Sequence, residues 1–166
     1  FLFTGEHREE LRKKLKHWQD EFVKKFSESN LSRFDDLRQE QIPDLINALQ
    51  SQPFLADKRM IIIQGIPLSA DRSKELDLEP LEAALEHVPE TSIVIFVSEK
   101  PDQRLKFFLK LKKIAKIESF PIPIGQSLKL WVSEKLRQSR KTMSARALEQ
   151  LISQSNQDIA LLSSEL

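Results

Sequence analysis

Apolar and polar positions along this chain follow two periods that alternate from the start. Phe1 to Thr4 is a short apolar run that ends at Gly5. From Glu9 to Phe26 the apolar residues Leu11, Leu15, Trp18, Phe22 and Phe26 recur in steps of three and four. That spacing predicts a helix with one apolar stripe. The first unit is therefore strand, turn, helix. Leu31 to Phe34 reads as a short edge strand. Ile42, Leu45, Ile46 and Leu49 mark a second helix, which Gln50 to Pro53 ends. Met60 to Ile63 is an unbroken apolar run, the signature of a parallel strand covered on both faces. Leu78, Leu81, Leu85 and Val88 give another helix, closed by Pro89. Ile93 to Val97 is a second buried strand. Leu105, Phe108, Leu111 and Ile114 lie on the next helix, and Ile117 to Phe120 is a last strand.

Strands alternating with helices imply βαβ units with right-handed crossovers, and hence a mostly parallel sheet. Pro121-Ile122-Pro123 breaks this rhythm, because proline fixes φ and lacks an amide donor. Everything after it reads as helical. Leu128, Trp131, Val132 and Lys135 share a face, with Leu136 beside it. Ser144 is placed to cap a helix carrying Ala147, Leu148, Leu151 and Ile152. Asn156 suits the left-handed residue that closes it. Asp158 opens a third helix with Ile159, Leu162 and Leu166. The expected organisation is an α/β domain over 1–122 and a small helical domain over 123–166.

Composition narrows the class. Of 166 residues, 40% are hydrophobic and 31% charged, as in a globular chain. No apolar run approaches the roughly 20 residues that span a bilayer, and FLFTGEHREE has no basic region ahead of an apolar one. The chain starts at Phe1 and stops inside an apolar helical pattern, so it is expected to be part of a longer protein. It has no cysteine, which excludes disulfides, thiolate nucleophiles and cysteine zinc sites and fits a cytoplasmic protein. The formal charge is +1, too small for a global field that draws nucleic acid. The charge is uneven, however: Arg104, Lys106, Lys110, Lys112, Lys113 and Lys116 form a run with no acid among them. Such a run is a solvated helix face or a binding patch, and the first is the more frequent.

The strand-turn-helix at the start is where a phosphate-binding loop would sit. That loop needs glycines for backbone approach, a lysine for the β/γ-phosphates and a hydroxyl for magnesium. Here the turn reads Thr4-Gly5-Glu6-His7-Arg8-Glu9-Glu10. One glycine remains, no Gly-Lys-Ser/Thr follows, and three carboxylates repel a triphosphate. The same carboxylates suit a helix N-terminus. The 60–63 strand is where acids that hold magnesium and activate water would sit. It leaves instead through Gln64-Gly65-Ile66-Pro67. Two independent losses argue against nucleotide hydrolysis. Other chemistries fare no better. His7, His17 and His87 form no ligand pair, and no Gly-x-Ser-x-Gly elbow occurs. Asp35-Asp36 and Glu9-Glu10 are adjacent pairs that do not face one way on a helix. Trp18 and Trp131 fall on apolar stripes and are expected in the core. No cofactor or metal is expected.

Gln50-Ser51-Gln52-Pro53-Phe54-Leu55-Ala56-Asp57-Lys58-Arg59 resists a purely structural reading. Connections between helix and strand are usually short and polar. Phe54 and Leu55 are an aromatic-aliphatic pair beside a proline and ahead of charges. Either they fold back onto the domain, or they form a wedge for a partner's apolar pocket. On the residues alone the first is the simpler reading.

The stretch Pro53 to Ile63 also resembles a known pattern, Pro-Leu-Phe-x-x-x-Arg followed by an apolar strand. That pattern belongs to the delta subunit of the bacterial DNA polymerase III clamp loader. Phe1 to Glu6 resembles the family's opening strand and Gly-Glu turn. Ile93 to Val97 with Ser98-Glu99-Lys100 and Arg104 resembles its later strand and basic helix. Phe120-Pro121 and Trp131 resemble the start of its second domain. Asn156-Gln157-Asp158-Ile159 through Ser164-Glu165-Leu166 resembles its Gly-Asn-Asp-Leu…Asn-Glu-Leu stretch. The order and spacing of these motifs, rather than any one of them, carry the resemblance along the whole chain.

The resemblance implies an AAA+-like, P-loop NTPase-type parallel sheet with flanking helices but without the P-loop, followed by a helical lid and then a collar domain beyond this chain. It implies a non-catalytic subunit that binds the sliding clamp (the beta subunit) and helps open the ring. Its partners would be the gamma/tau and delta-prime subunits, with DNA contacted indirectly or weakly, at the nucleoid in the cytoplasm. The family's clamp contact is an apolar pair at the tip of one helix, which maps to Phe54 and Leu55, with Leu49, Gln52 and Pro53 shaping the approach. Two departures stand out: the pair is Phe-Leu rather than Leu-Phe, and Asn156 replaces a glycine. The rival readings are a delta-prime-like stator or another degenerate AAA+ subunit, an ATPase with an unconventional site, and a DNA-binding role for the basic run from Arg104 to Lys116.

Overall fold

The structure is a computed structural model that describes residues 1–35, 37–67, 77–156 and 158–165. Asp36, Gln157 and Leu166, which the sequence reading uses, lie outside the described residues. Chain contacts divide the protein into two compact units, Phe1–Phe120 and Pro121–Leu166.

In the first unit, β1 (Leu2–Thr4), β2 (Leu31–Phe34), β3 (Arg59–Gln64), β4 (Ser92–Ser98) and β5 (Ile117–Ser119) form one sheet in the order β2-β3-β4-β1-β5. Every pairing is parallel. The helices are α1 (Arg8–Phe26), α2 (Ile42–Gln50), α3 (Glu79–Glu86) and α4 (Lys106–Ile114). The strand order decides which face each helix covers. The step from β1 to β2 runs one way across the sheet, and the later steps run the other way. With right-handed crossovers throughout, α1 must cover one face and α2, α3 and α4 the other.

The core divides in that manner. Phe3, Met60, Ile62, Ile95 and Val97 pack with Leu11, Leu15 and Phe22 of α1. Leu2, Ile61, Ile63 and Phe96 pack with Leu45 and Leu49 of α2, Leu81 of α3 and Phe107, Phe108 and Leu111 of α4. Successive strand residues point to opposite faces, so a strand covered on both sides is apolar at every position. That is why Met60 to Ile63 carries no polar residue. Trp18 packs edge-on to Phe1 and Phe3, with ring centroids 4.7 and 5.4 Å away, in the α1 layer as expected.

The second unit contains α5 (Gln126–Gln138), α6 (Ala145–Gln154) and α7 (Ile159–Glu165). Leu128, Val132, Leu136 and Leu162 are its buried centre, with Trp131 partly buried against them. Lys135 lies over the Trp131 ring at 5.1 Å. The Ser144 hydroxyl accepts from the Ala147 amide at 3.2 Å and caps α6. Asn156 follows α6 with φ of 51°, the left-handed conformation its side-chain type tolerates.

Candidate functional site

α2 stops at Gln50, where the Ser51 hydroxyl donates to the Asn47 carbonyl at 2.5 Å. Phe54 and Leu55 therefore sit in a bend beyond the helix, in the segment leading to β3, and not on its last turn. Neither folds back onto the domain: Phe54 is 67% exposed and Leu55 92%. Gln52 is exposed and Pro53 half-buried. Leu49 is fully buried in the core on the α2 side of the sheet, so it presents nothing to a partner.

The segment's backbone is nevertheless held. The Phe54 amide donates to Asn30 Oδ1 at 2.6 Å, and Asn30 Nδ2 donates to the Phe54 carbonyl at 2.9 Å. Asn30 Nδ2 also donates to the Phe26 carbonyl at the end of α1, at 2.8 Å. Asn30 is only 4% exposed. Leu55 takes φ of 50°, a left-handed torsion that costs a bulky residue about 1–3 kcal/mol. Behind the tip, Arg59 donates to Ser32 Oγ at 3.3 Å and ties β3 to β2, while Lys58 donates to the Glu90 carbonyl at 2.7 Å. Burial lowers the pKa of Arg59 from its ordinary value, which leaves a guanidinium charged at any physiological pH. Asn30 was not singled out by sequence, where it reads as one more polar residue after a helix.

The opposite edge of the sheet is where open α/β sheets bind ligands, outside the carboxyl ends of the strands at a switch in strand order. Here that edge is occupied by the protein itself. Gly5 has φ of 136°, and a Cβ built on it would lie 2.1 Å from the Phe120 carbonyl oxygen. The glycine thus serves close packing against the end of β5. The His7 amide donates to Phe120 O at 3.0 Å, and the Gly5 amide donates to Glu99 O at 3.1 Å. The Gly5 and His7 amides of this turn are thus already bonded within the chain. The nearby cations are also engaged: Arg8 pairs with Glu99 at 2.6 Å and Lys100 with Glu6 at 3.2 Å. An open cleft of about 410 Å³ remains beyond β3 and β4, lined by Arg38, Gln64, Gly65, Ser98, Lys100 and Asp102 among others. Lys100 and Asp102 in that lining are paired with Glu6 and Arg104, and β3 leaves through Gln64 and Gly65 with no acid before Pro67.

The basic run is less available than its composition suggests. Arg104 grips Asp102 through Nε at 3.0 Å and Nη2 at 2.8 Å. The Arg104 side chain, then its backbone amide, hold the Asp102 pKa down at about 2. Lys110 pairs with Glu86 at 2.9 Å and Glu82 at 3.1 Å, both from α3, and these bonds raise its pKa. Lys112 lies over the Phe108 ring at 5.8 Å. Lys106, Lys113 and Lys116 are exposed and make no ion pair among the described residues. Among those residues, no cluster of His, Cys, Asp or Glu could hold a metal ion, and no helix is long and apolar enough to cross a membrane.

Comparison with known proteins gives this geometry a family. The profile of DNA polymerase III, delta subunit, matches residues 1–120. Among solved structures, the chain is similar to the Bacillus subtilis DNA clamp loader delta protein (YqeN), with a TM-score of 0.67 and 18% identity, over 99% of this chain and 50% of that one. It is also similar to a DNA polymerase III, gamma subunit-related protein of Thermotoga maritima, with a TM-score of 0.50 and 16% identity, over 81% of this chain and 44% of that one. At these identities the likeness is one of fold. The chain spans half or less of the length of either. No curated protein matches in sequence. With a family match over more than two thirds of its length, on a five-stranded parallel sheet followed by helices, the chain belongs to the DNA polymerase III delta subunit family.

Proposed function

We propose that this chain is the clamp-binding part of a clamp-loader subunit and that it has no catalytic activity of its own. Phe54 and Leu55 insert into an apolar pocket of the sliding clamp, with Gln52 and Pro53 at the rim and the buried Leu49 taking no part. The observation that carries this reading is a pair of large apolar side chains standing in solvent on a backbone held in place by a buried asparagine. An exposed pair that served only the fold would have no reason to be presented in this way.

Magnitudes set what the pair can do. Burying a Phe and a Leu side chain is worth about 1.5–3 kcal/mol each. Shifting a closed ring from 1:99 to 99:1 in favour of the open form needs a preference of about 5.5 kcal/mol between the two states. The tip approaches that figure only if it binds almost exclusively to the open form. Ring opening by differential affinity therefore draws on further contacts, which the neighbouring ATPase subunits and the other partners, gamma/tau and delta-prime, supply in the assembled loader. The unit 123–166 acts as the helical lid. DNA is met indirectly, or weakly through Lys106, Lys113 and Lys116, and the protein works in the cytoplasm at the nucleoid.

The test is the affinity of the full-length protein for its cognate clamp. Replacing Phe54 and Leu55 together with Ala is expected to weaken binding by about 3 kcal/mol, over a hundredfold, with no loss of thermal stability. Unchanged affinity in a folded double variant contradicts the assignment.

A further inference from the structure

Asn30 is buried at the end of a single 3-10 turn, Glu28–Asn30, and its side-chain amide belongs to no strand or helix ladder. It sits just before β2, and Phe54 sits five residues before β3. The two strands pair in parallel, with Leu31 opposite Met60, so both residues lie beyond the N-terminal edge of the sheet. There the asparagine amide continues the hydrogen bonding that the ladder no longer provides. Its oxygen accepts from Phe54, and its nitrogen donates to Phe54 and to Phe26. Only one orientation of the amide works. Turned over, its nitrogen would face the Phe54 amide, and its oxygen would face two carbonyls.

The same three bonds join two things that are distant in sequence. One is the end of α1, whose Phe26 carbonyl would otherwise lack a partner in the helix. The other is the segment carrying Phe54 and the strained Leu55. Leu55 is almost fully exposed, so its own side chain does not hold its left-handed torsion. A neighbouring backbone that is fixed does.

We propose that Asn30 is a positioning residue for clamp recognition: it locks the Phe54 backbone to the end of α1, so that Phe54 and Leu55 are presented outward before a clamp arrives. This rests on the reading of those two residues as the clamp contact. The gain is pre-organisation. A tip that must be ordered on binding loses affinity to the entropy of ordering, and a tip already ordered does not. Asn30→Asp keeps the shape but removes both donated bonds and sets a carboxylate against two carbonyl oxygens.

Clamp affinity of the full-length protein is measured for wild type, Asn30→Asp, the double variant Phe54→Ala with Leu55→Ala, and the triple variant. Asn30→Asp is expected to weaken binding about tenfold in the wild-type background and to add little in the background without tip side chains, because nothing is then left to position. Amide exchange supplies a local signature. The Phe54 amide of the wild type exchanges far more slowly than those of Leu55 and Ala56, and Asn30→Asp abolishes that protection while sparing the β3 amides. An Asn30→Asp affinity within twofold of wild type, or an undiminished tenfold loss in the triple variant, overturns the proposal while leaving the tip assignment standing. If the double alanine variant alone loses nothing, the tip assignment fails and takes this inference with it. Should Asn30→Asp not fold, the wild-type exchange decides: an unprotected Phe54 amide contradicts the proposal.

Discussion

Leu55 combines two properties that seldom meet in one residue, nearly complete exposure and a left-handed backbone. Glycine adopts that torsion freely, so Leu55→Gly removes strain of about 1–3 kcal/mol, against a chain-entropy cost of roughly 0.5–1 kcal/mol. Thermal unfolding of this variant should match or slightly exceed wild type, while clamp affinity falls. A marked loss of Tm would mean that Leu55 packs against its own domain. Asp102 offers a second check at this scale. Its carboxyl is held at about 2 against an ordinary 3.8 by the Arg104 side chain and amide. The pair's contribution to stability is therefore present above the ordinary value and is lost as pH falls from there toward about 2. Carboxyl NMR should place the Asp102 midpoint near 2, and Arg104→Ala should return it to the usual range. A wild-type midpoint near 3.8 would free Arg104 for other partners.

At the scale of elements, the turn from β1 to α1 stands where a phosphate-binding loop would sit, and it packs against the chain instead. Gly5 lets the turn approach the end of β5 so closely that a side chain has no room. Gly5→Ala should destabilise the first unit by about 3 kcal/mol or more, read by denaturant unfolding. A loss below about 1 kcal/mol would show that the turn is looser than described. The sequence already exposed part of this. A phosphate loop is a local motif, so its absence between Gly5 and Glu10 could be read directly, as could the missing acid after Ile63. What fills the place could not, because the Phe120 carbonyl comes from the far end of the domain and contributes backbone alone. The elements themselves were legible from period: the apolar steps along α1 and the unbroken run in β3 follow from covering one face or two. The basic run shows the converse limit of a local reading. It has no acids within it, but Lys110 finds Glu82 and Glu86 on α3, a pairing that only tertiary structure creates. Asn30 stayed unread because its partner, Phe54, bonds through main-chain groups that any residue possesses.

Across the whole first unit, the two places that invite a function lie at opposite ends of β3. The tip precedes its first residue, Arg59, and the open cleft begins after its last, Gln64. A six-residue parallel strand separates its ends by about 17 Å, so a partner docked at one end need not touch the other. On the proposed reading, recognition takes place at the tip, while the turn after β1 is closed by the chain's own carbonyls and ion pairs. Photo-crosslinking tests this most directly. A photoreactive residue is placed at position 55 or at position 100 of the full-length protein, which is then mixed with the cognate clamp and irradiated. The account predicts a clamp adduct from position 55 and none from position 100. Adducts from position 100 with none from position 55 would contradict it.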